Sequence, residues 1–340
     1  MAGKIRLPRQ PRFVAVALLL ALGLLVWIGG CTGPSPLKPK PPVVVEGPCG
    51  ALPAVFNPLE FGLTQVGTDT TLDLATWNLE FFPLRLPGDY ECPHPVDSNR
   101  VTATADLINL MRLDVIAVEE ISDPAGFQNL LDLCPGYEGI LAAQDRGCNF
   151  QRVGLIYRSD QVAVRSTRLL FEGNTRAFPR APLQADLRIT SNGISYDLNL
   201  IVIHLKASGS FSSRERRREA TALLRTYLDD QAVSSPGANF LIAGDWNDTS
   251  DDPPSSSSFP RFLDDPENYE FLTQPLAGQR AFASHPFGGG SLIDLLLVNR
   301  AACEDFDTAR VTTLRLDGVV DGYDNISDHM PVMVQAPLFK

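Results

Sequence analysis

The run Asn239 to Asp248, NFLIAGDWND, changes from apolar to polar within a few residues, and its polar half can do chemistry. Asp245 offers a carboxylate and Asn247 an amide that donates and accepts, so together they can grip a water or a phosphate oxygen. Phe240 to Ala243 is brief, apolar and bounded by turn residues, which predicts a buried strand. Gly244 then lets the backbone turn, so that Asp245 and Asn247 project together from the strand's carboxyl end. Asp, Asn and Gly also suit an ordinary strand-ending turn, and the pair gains meaning only from its companions.

Those companions border other short apolar runs. Leu72 to Trp77 leads into Asn78-Leu79-Glu80, Asp114 to Val118 into Glu119-Glu120, and Leu198 to Ile203 into His204. Val153 to Tyr157 follows Gln151 and Arg152, Leu292 to Val298 contains Asp294, and Met330 to Val334 follows Ser327-Asp328-His329. Glu80, Glu120, Asp245 and Asp328, with the amides of Asn78 and Asn247, are hard oxygen donors without thiolates. Such a set suits Mg²⁺, Mn²⁺ or Ca²⁺ rather than zinc, and no Cys-x-x-Cys or His-Glu-x-x-His spacing occurs. His204 and His329 are two of only 4 histidines. Asp294 can receive an imidazole N–H and fix the tautomer of His329. A cation, a carboxylate that orients water and a cationic donor are the equipment of phosphodiester hydrolysis.

The elements that must position these groups alternate. Helical spacing marks Ser98 to Arg112 and, more briefly, Phe127 to Leu133. Ser212 to Asp229 opens on an expected capping box, Ser212 with Glu215, and buries Ala220, Leu223, Leu224, Tyr227 and Leu228. Its Arg214, Arg216, Arg217 and Arg218, interleaved with Glu215 and Glu219, are expected to form a solvated face. Asp251 to Pro260 reads as a surface loop. Tyr137 to Ala143 and Arg152 to Tyr157 read as a hairpin. Strands alternating with helices, together with hairpins, predict a mixed α/β layering rather than a purely parallel sheet.

Before this body lies an export signal. Lys4, Arg6, Arg9 and Arg12 precede the apolar run Phe13 to Ile28, and Ile28-Gly29-Gly30-Cys31 resembles a bacterial lipobox. Residues 1–30 are expected to be a signal peptide, with a signal anchor as the alternative. Residues 31–51 form a proline-rich tether, and 52–340 one domain outside the cytoplasm, lipid-anchored through Cys31 and monomeric. Removing the four basic residues of the leader from 29 leaves 25 against 40 acidic residues, a formal charge of −15. That argues against tight passive nucleic-acid binding by charge neutralisation, but not against an enzyme whose cation supplies the positive charge. An exported domain favours disulfides. Cys134 and Cys148 would lie at opposite ends of a strand about 20 Å long, too far apart to bridge, and Cys92 with Cys148 is the expected pairing.

The motifs occur in a recognisable order: Trp77-Asn78-Leu79-Glu80, Val118-Glu119-Glu120, Gln151-Arg152, Ile203-His204-Leu205-Lys206, Gly244-Asp245-Trp246-Asn247-Asp248, Leu292-Ile293-Asp294 and Ser327-Asp328-His329. In this the chain resembles the endonuclease/exonuclease/phosphatase superfamily of deoxyribonuclease I, abasic-site endonucleases, neutral sphingomyelinases and inositol polyphosphate phosphatases. The resemblance, covering about Thr70 to Val334, implies a four-layer α/β sandwich of two packed mixed sheets flanked by helices. It implies that Glu120 is the principal Mg²⁺ carboxylate, with Asn78 and Glu80 assisting and Asp328 nearby. It makes Asp245 the water-activating residue and Asn247 and Arg180 phosphate contacts, with Asn78 beside them. His329, oriented by Asp294, would act on the scissile phosphate, with His204 as the second histidine and Gln151 in place of its usual acidic partner. Glu119 stands where glutamine is usual. The implied activity is a metal-dependent nuclease acting on DNA or RNA. The alternatives are a sphingomyelinase- or phospholipase C-like lipid enzyme, for which Pro83 to Pro95 would have to enter a membrane, a phosphatase, or a catalytically silent binding module.

Overall fold

The computed structural model describes residues 52–60, 62–84, 95–144, 146–147 and 150–339. The export leader, Cys31, the whole of the tether, Tyr90 and the Cys92–Cys148 pairing lie outside the described residues. Among the described residues Cys134 is a buried free thiol, while Cys303 is disulfide-bonded.

Strands β1 (Ala54–Val55), β2 (Leu72–Phe82), β3 (Val115–Ile121), β4 (Tyr137–Leu141) and β5 (Arg152–Arg158) belong to one sheet, with helices α1 (Ser98–Met111) and α2 (Pro124–Asp132) between them. The chain then builds a second sheet from β6 (Val162–Leu169), β7 (Leu183–Ser191), β8 (Ile194–His204), β9 (Phe240–Asp245), β10 (Tyr269–Phe271) and β11 (Asp294–Asn299). Helices α3 (Phe211–Ser234) and α4 (Pro260–Leu263) interrupt it, and β12 (Arg310–Thr313) and β13 (Val332–Ala336) return to the first sheet. The sheet orders are β1-β12-β13-β2-β3-β5-β4 and β10-β11-β9-β8-β7-β6, each mixed parallel and antiparallel.

Burial explains why the central strands read as unbroken apolar runs. Leu74, Val115, Ala117, Leu200, Val202, Leu241 and Ala243 meet in the core between the two sheets. The alternate residues Ala75, Trp77, Ile116 and Val118 pack outward on Val101, Ile108 and Met111 of α1 and Phe127 of α2. On the far side, Ile201, Ile203 and Ile242 pack on Ala220, Leu224 and Leu228 of α3. Both faces of each central strand are therefore dry, which leaves the strand ends as the place for polar side chains. Helix, sheet, sheet and helix make the expected four layers.

The structure differs from the sequence reading at several points. The strands β6 and β7 add to the apolar runs; β6 is an edge strand exposed over much of its length, so it carries little apolar signal. Helix α3 is capped by Ser210, which accepts from Ser213 N, rather than by Ser212, and Glu215 pairs with Arg218 instead of closing a capping box. Nor are its arginines a solvated face. Arg217 is buried, donating to Ser258 Oγ and the carbonyls of Lys206 and Ser208, and Arg218 donates to the carbonyls of Ser255 and Ser257. They tie α3 to the loop 251–260, whose Ser257, Ser258 and Phe259 are buried.

Gly244 is inside β9 rather than at a turn. Its φ is +147°, and a Cβ there would lie 2.0 Å from the Ile203 carbonyl oxygen of the neighbouring strand. The glycine thus permits β8 and β9 to approach closely, which sets His204 beside Asp245 in register. Trp246 then anchors the chain: it is buried, donates from Nε1 to the Leu295 carbonyl at 3.1 Å, and meets Phe259, Phe262 and Phe271 edge-on. We expect Gly244→Ala to cost about 3 kcal/mol in urea unfolding, because the clash is with backbone that cannot rotate away. Gly318→Ala, whose Cβ would meet nothing within 4 Å, is the control and should move stability by less than about 1 kcal/mol. Equal midpoints for the two variants would refute this account of the strand spacing.

Candidate active site

The site forms where the carboxyl ends of β2, β3, β8 and β9 meet. In the first sheet the parallel pair β2 and β3 loses regular register between Asn78 and Phe82. Glu80, Phe81 and Glu120 have positive φ values of 42°, 50° and 61°, a left-handed backbone that non-glycine residues seldom adopt. The paired bulges swing two consecutive side chains out of the alternation, as bulges beside active sites do. Glu119 stays behind, fully buried, accepting from the Thr76 hydroxyl at 3.0 Å. Glu120 turns into the site, so of the two glutamates it is Glu120 that the strands present.

Side chains satisfy the backbone that the bulges release. The Glu80 N–H donates to Asn78 Oδ1 at 2.9 Å and the Phe81 N–H to Glu120 Oε2 at 3.1 Å. Buried Arg100, from the first turn of α1, donates to the carbonyls of Leu79, Glu80, Leu84 and Ile326. It thereby locks β2 to the loop that carries His329. That loop is held again by Ser327, whose hydroxyl donates to the Asn78 carbonyl at 2.7 Å and accepts from His329 N at 2.9 Å.

From the second sheet come His204, Asp245 and Asp294, which register places side by side on β8, β9 and β11. The Asn78 amide joins the two halves, donating to Glu120 Oε1 at 3.3 Å and to Asp245 Oδ2 at 3.1 Å. His204 Nε2 lies 3.6 Å from both of the same carboxylates. Asp245 Oδ1 accepts from the Asn247 N–H at 2.8 Å, and Asn247, at φ 54°, donates its amide to the Leu205 carbonyl at 3.3 Å. His329 Nδ1 lies 2.7 Å from Asp294 Oδ2. Ligand atoms of Asp245, Asp294 and His329 all fall within 4.8 Å of one another. The Asp328 N–H donates to Glu80 Oε2 at 3.0 Å.

The strand-end and loop residues singled out from the sequence reach this region, and Arg180 lies near enough to Glu120 and Asp245 to feel their charge, but two arrangements differ from expectation. Gln151 does not partner His204: its amide donates to Glu120 Oε2, and His204 Nδ1 is buried without a partner. Glu80, Glu120 and Asp328 do not form a tight trio. Among the described residues the close sets are Asp245–Asp294–His329 and His285–Asp328–His329. Sequence reasoning missed His285, whose Nε2 is 3.6 Å from Asp328 Oδ2 and whose ring lies 5.0 Å from that of His329. Its only signal was position, a histidine ahead of the Gly-rich turn 288–290. Arg100 was hidden by its place in an ordinary helix.

Burial and neighbours tune the titrating groups in opposite directions. Burial, followed by repulsion from Asp328, pushes Glu80 up to about 7. Burial raises Glu120 against the pull of Arg180 and His329, and burial with Asp294 raises Asp245. Burial, then Arg180, holds His204 well below its usual value. For His329 burial works downward but Asp294 and Asp245 overcome it, so the imidazolium is favoured. Burial would raise Asp328, yet His285 and His329 keep it low. The site is thus short of positive charge around Glu80, Glu120 and Asp245. Glu120 and Glu80, with Asp328 nearby, are hard oxygen donors of the kind a divalent cation takes one or two at a time, while Asn78 turns its N–H groups to Glu120 and Asp245 and its Oδ1 to the Glu80 N–H.

The model of the Endonuclease/Exonuclease/phosphatase family matches residues 75–329. No curated protein matches the chain significantly. Among solved structures, humanized D. rerio TDP2 carrying 14 mutations is similar at 18% identity and TM-score 0.55, over 78% of this chain and 99% of that one. The mannosyl-6-phosphatase Bt3783 of Bacteroides thetaiotaomicron is similar at 15% identity and TM-score 0.54, over 78% and 99%. An endonuclease/exonuclease/phosphatase from Bacteroides vulgatus gives 16% and 0.56, over 78% and 98%. These likenesses are of fold, and they agree with the two mixed sheets and outer helices seen here. Because the family match runs from the strand that carries Asn78 as far as His329 itself, the chain belongs to the Endonuclease/Exonuclease/phosphatase family.

Proposed function

We propose that the chain is a divalent-cation-dependent phosphodiesterase, most concretely a nuclease, with Mg²⁺ as the cation and Mn²⁺ or Ca²⁺ as substitutes. The observation that carries this reading is the single Asn78 amide bonded to both Glu120 and Asp245, beside a histidine held by a buried aspartate. Support for nucleic acid comes from a neighbour of the same fold, D. rerio TDP2 complexed with a single strand DNA product, at 18% identity and TM-score 0.55.

In the proposed reaction Glu120 would hold the cation with Asn78 assisting, and Glu80 and Asp328 would add negative charge around it. The cation, when bound, withdraws charge from the phosphate and from the leaving oxygen. Asp245 orients a water and takes its proton, its own carboxylate fixed by Asn78 and the Asn247 N–H. The water oxygen bonds to phosphorus as the P–O bond to the leaving group breaks. His329, kept in its imidazolium form by Asp294, donates from Nε2 to a phosphate oxygen and neutralises the crowded transition state. His204, neutral and wedged beside Glu120 and Asp245, and Asn247 and Arg180 position the phosphate. We further propose that residues 1–51 are leader, lipidated Cys31 and tether, and that 52–340 work as a monomer outside the cytoplasm. Radiolabelled palmitate incorporation that is lost in Cys31→Ala checks the anchor.

The soluble domain should nick plasmid DNA or degrade RNA with Mg²⁺ and stop in EDTA. Asp245→Asn and His329→Ala should each lower kcat by about 10³-fold, the scale expected for a lost base or transition-state donor. Cleavage that survives EDTA or either substitution would overturn the reading, and turnover of sphingomyelin or sugar phosphates with nucleic acid untouched would redirect it.

Cation binding should also depend on pH with a defined sign. An acid whose folded pKa is raised favours the folded apo protein below its ordinary value near 4.5, and that contribution is lost as pH rises through about 7, as for Glu80. A cation prefers the ionised carboxylates, so at pH 6 it must displace protons. Calorimetry in buffers of different ionisation enthalpy should therefore show proton release at pH 6, tighter binding at pH 8, and stabilisation by the cation that grows over the same interval. Affinity independent of pH would refute the charge assignment.

A further inference from the structure

Beside the catalytic groups lies a cavity of about 320 Å³ lined by Phe150, Gln151, Pro179, Arg180, Lys206 and Arg216. Its lining holds three cations and no carboxylate, in a chain where acidic residues outnumber Lys and Arg by 40 to 29. Arg216 satisfies its guanidinium on neutral carbonyls, those of Arg176 at 2.6 Å and Thr175 at 3.2 Å. Among the described residues neither the Arg180 guanidinium nor the Lys206 ammonium has a hydrogen-bonded or ion-paired protein partner. Burial, then Arg216 and Arg180, depresses the Lys206 ammonium, so the three cations that line the cavity repel one another.

The cavity is also physically continuous with the chemistry. Gln151 donates to Glu120, Arg180 is close enough to Glu120 and Asp245 to feel both, and Lys206 follows His204 by two residues at the end of β8. Crowded cations facing a hollow are stabilised by an anion that enters it. The volume admits a phosphate with part of its sugar, and Phe150 and Pro179 give that sugar an apolar wall.

We propose that this cavity binds the phosphate adjacent to the scissile one, so that the substrate is a nucleic-acid strand spanning at least two consecutive phosphates, with Lys206 and Arg216 as its recognition residues. This rests on the nuclease reading above and adds to it that a lone phosphodiester is a poor substrate.

The test compares a single-stranded oligonucleotide with bis(p-nitrophenyl) phosphate, which has one phosphodiester and no neighbour. Lys206→Ala should lower kcat/KM for the oligonucleotide by at least tenfold, the scale of one charge-assisted contact. The loss on the small diester should be several-fold smaller, and Lys206→Arg should recover most of the oligonucleotide rate. In EDTA, anisotropy of a labelled oligothymidine should show the slope of log affinity against log salt falling by about 0.7, one phosphate contact. Unfolding of each variant verifies that the fold is intact. Equal losses on both substrates, or an unchanged salt slope, would overturn the inference while leaving nuclease activity standing. A wild-type protein that hydrolyses the small diester but no oligonucleotide would instead overturn the nuclease reading itself.

Discussion

One neutral amide holds the two sheets' chemistry together. Asn78 reaches from β2 of one sheet to Asp245 of the other while also donating to Glu120, and it is buried, with 1% of its surface exposed. Two carboxylates brought this close in a dry place repel, and each is costly to ionise without a partner. An amide adds no charge but satisfies an oxygen on each, so the pair can be held in position while its electrostatic demand is left for a cation. A lysine at this place would neutralise that demand outright and remove the reason for a cation to bind. The carbonyl side of the same amide serves the backbone, accepting from the Glu80 N–H. The residue thus fixes the carboxylates and the bulged strand that presents one of them.

The bulge is the less economical part of the design. Positive φ at Glu80, Phe81 and Glu120 is disfavoured by about 1–3 kcal/mol for each non-glycine residue. It persists because backbone groups around the bulge have specific partners: Asn78, Glu120, the Arg100 guanidinium and the Ser327 hydroxyl. Arg100 spends its hydrogen bonds on carbonyls rather than on a carboxylate, so it fixes the geometry directly, while its charge also offsets part of the repulsion felt by Glu80. The strain and its supports come from β2, α1 and the 327–329 loop, which are distant in sequence, so the site's shape depends on the complete fold.

This division sets what could be read in advance. Strand-ending Asn78, Glu120, His204, Asp245 and the Ser327-Asp328-His329 turn were legible because both faces of the central strands are apolar, and a polar residue at the boundary stands out. The edge strand β6 was not, since an exposed strand has no such contrast. Arg217 and Ser210 were misread for a common reason: helix periodicity reports which face is turned inward, but not which long side chain finds carbonyls across a loop. Gly244 looked like a turn because glycine usually serves turns; the true constraint, a neighbouring strand's carbonyl at 2.0 Å from a would-be Cβ, exists only in three dimensions. His285 acts through a partner more than 40 residues away, and Arg100 ties the nearby β2 carbonyls to Ile326, more than 200 residues away, where no local pattern can point.

The two site histidines show how position alone assigns proton states. His204 is wholly buried, has no partner on Nδ1, and faces Arg180 and Lys206, so its neutral form prevails. His329 is equally buried but bonded to Asp294, a carboxylate whose other oxygen has no partner and whose field is therefore directed at the imidazole. Its charged form prevails. Because both residues are histidine, the difference comes from their positions, one bonded to Asp294 and the other near Arg180. A single deep site thus favours an imidazolium at one histidine and a neutral imidazole at the other.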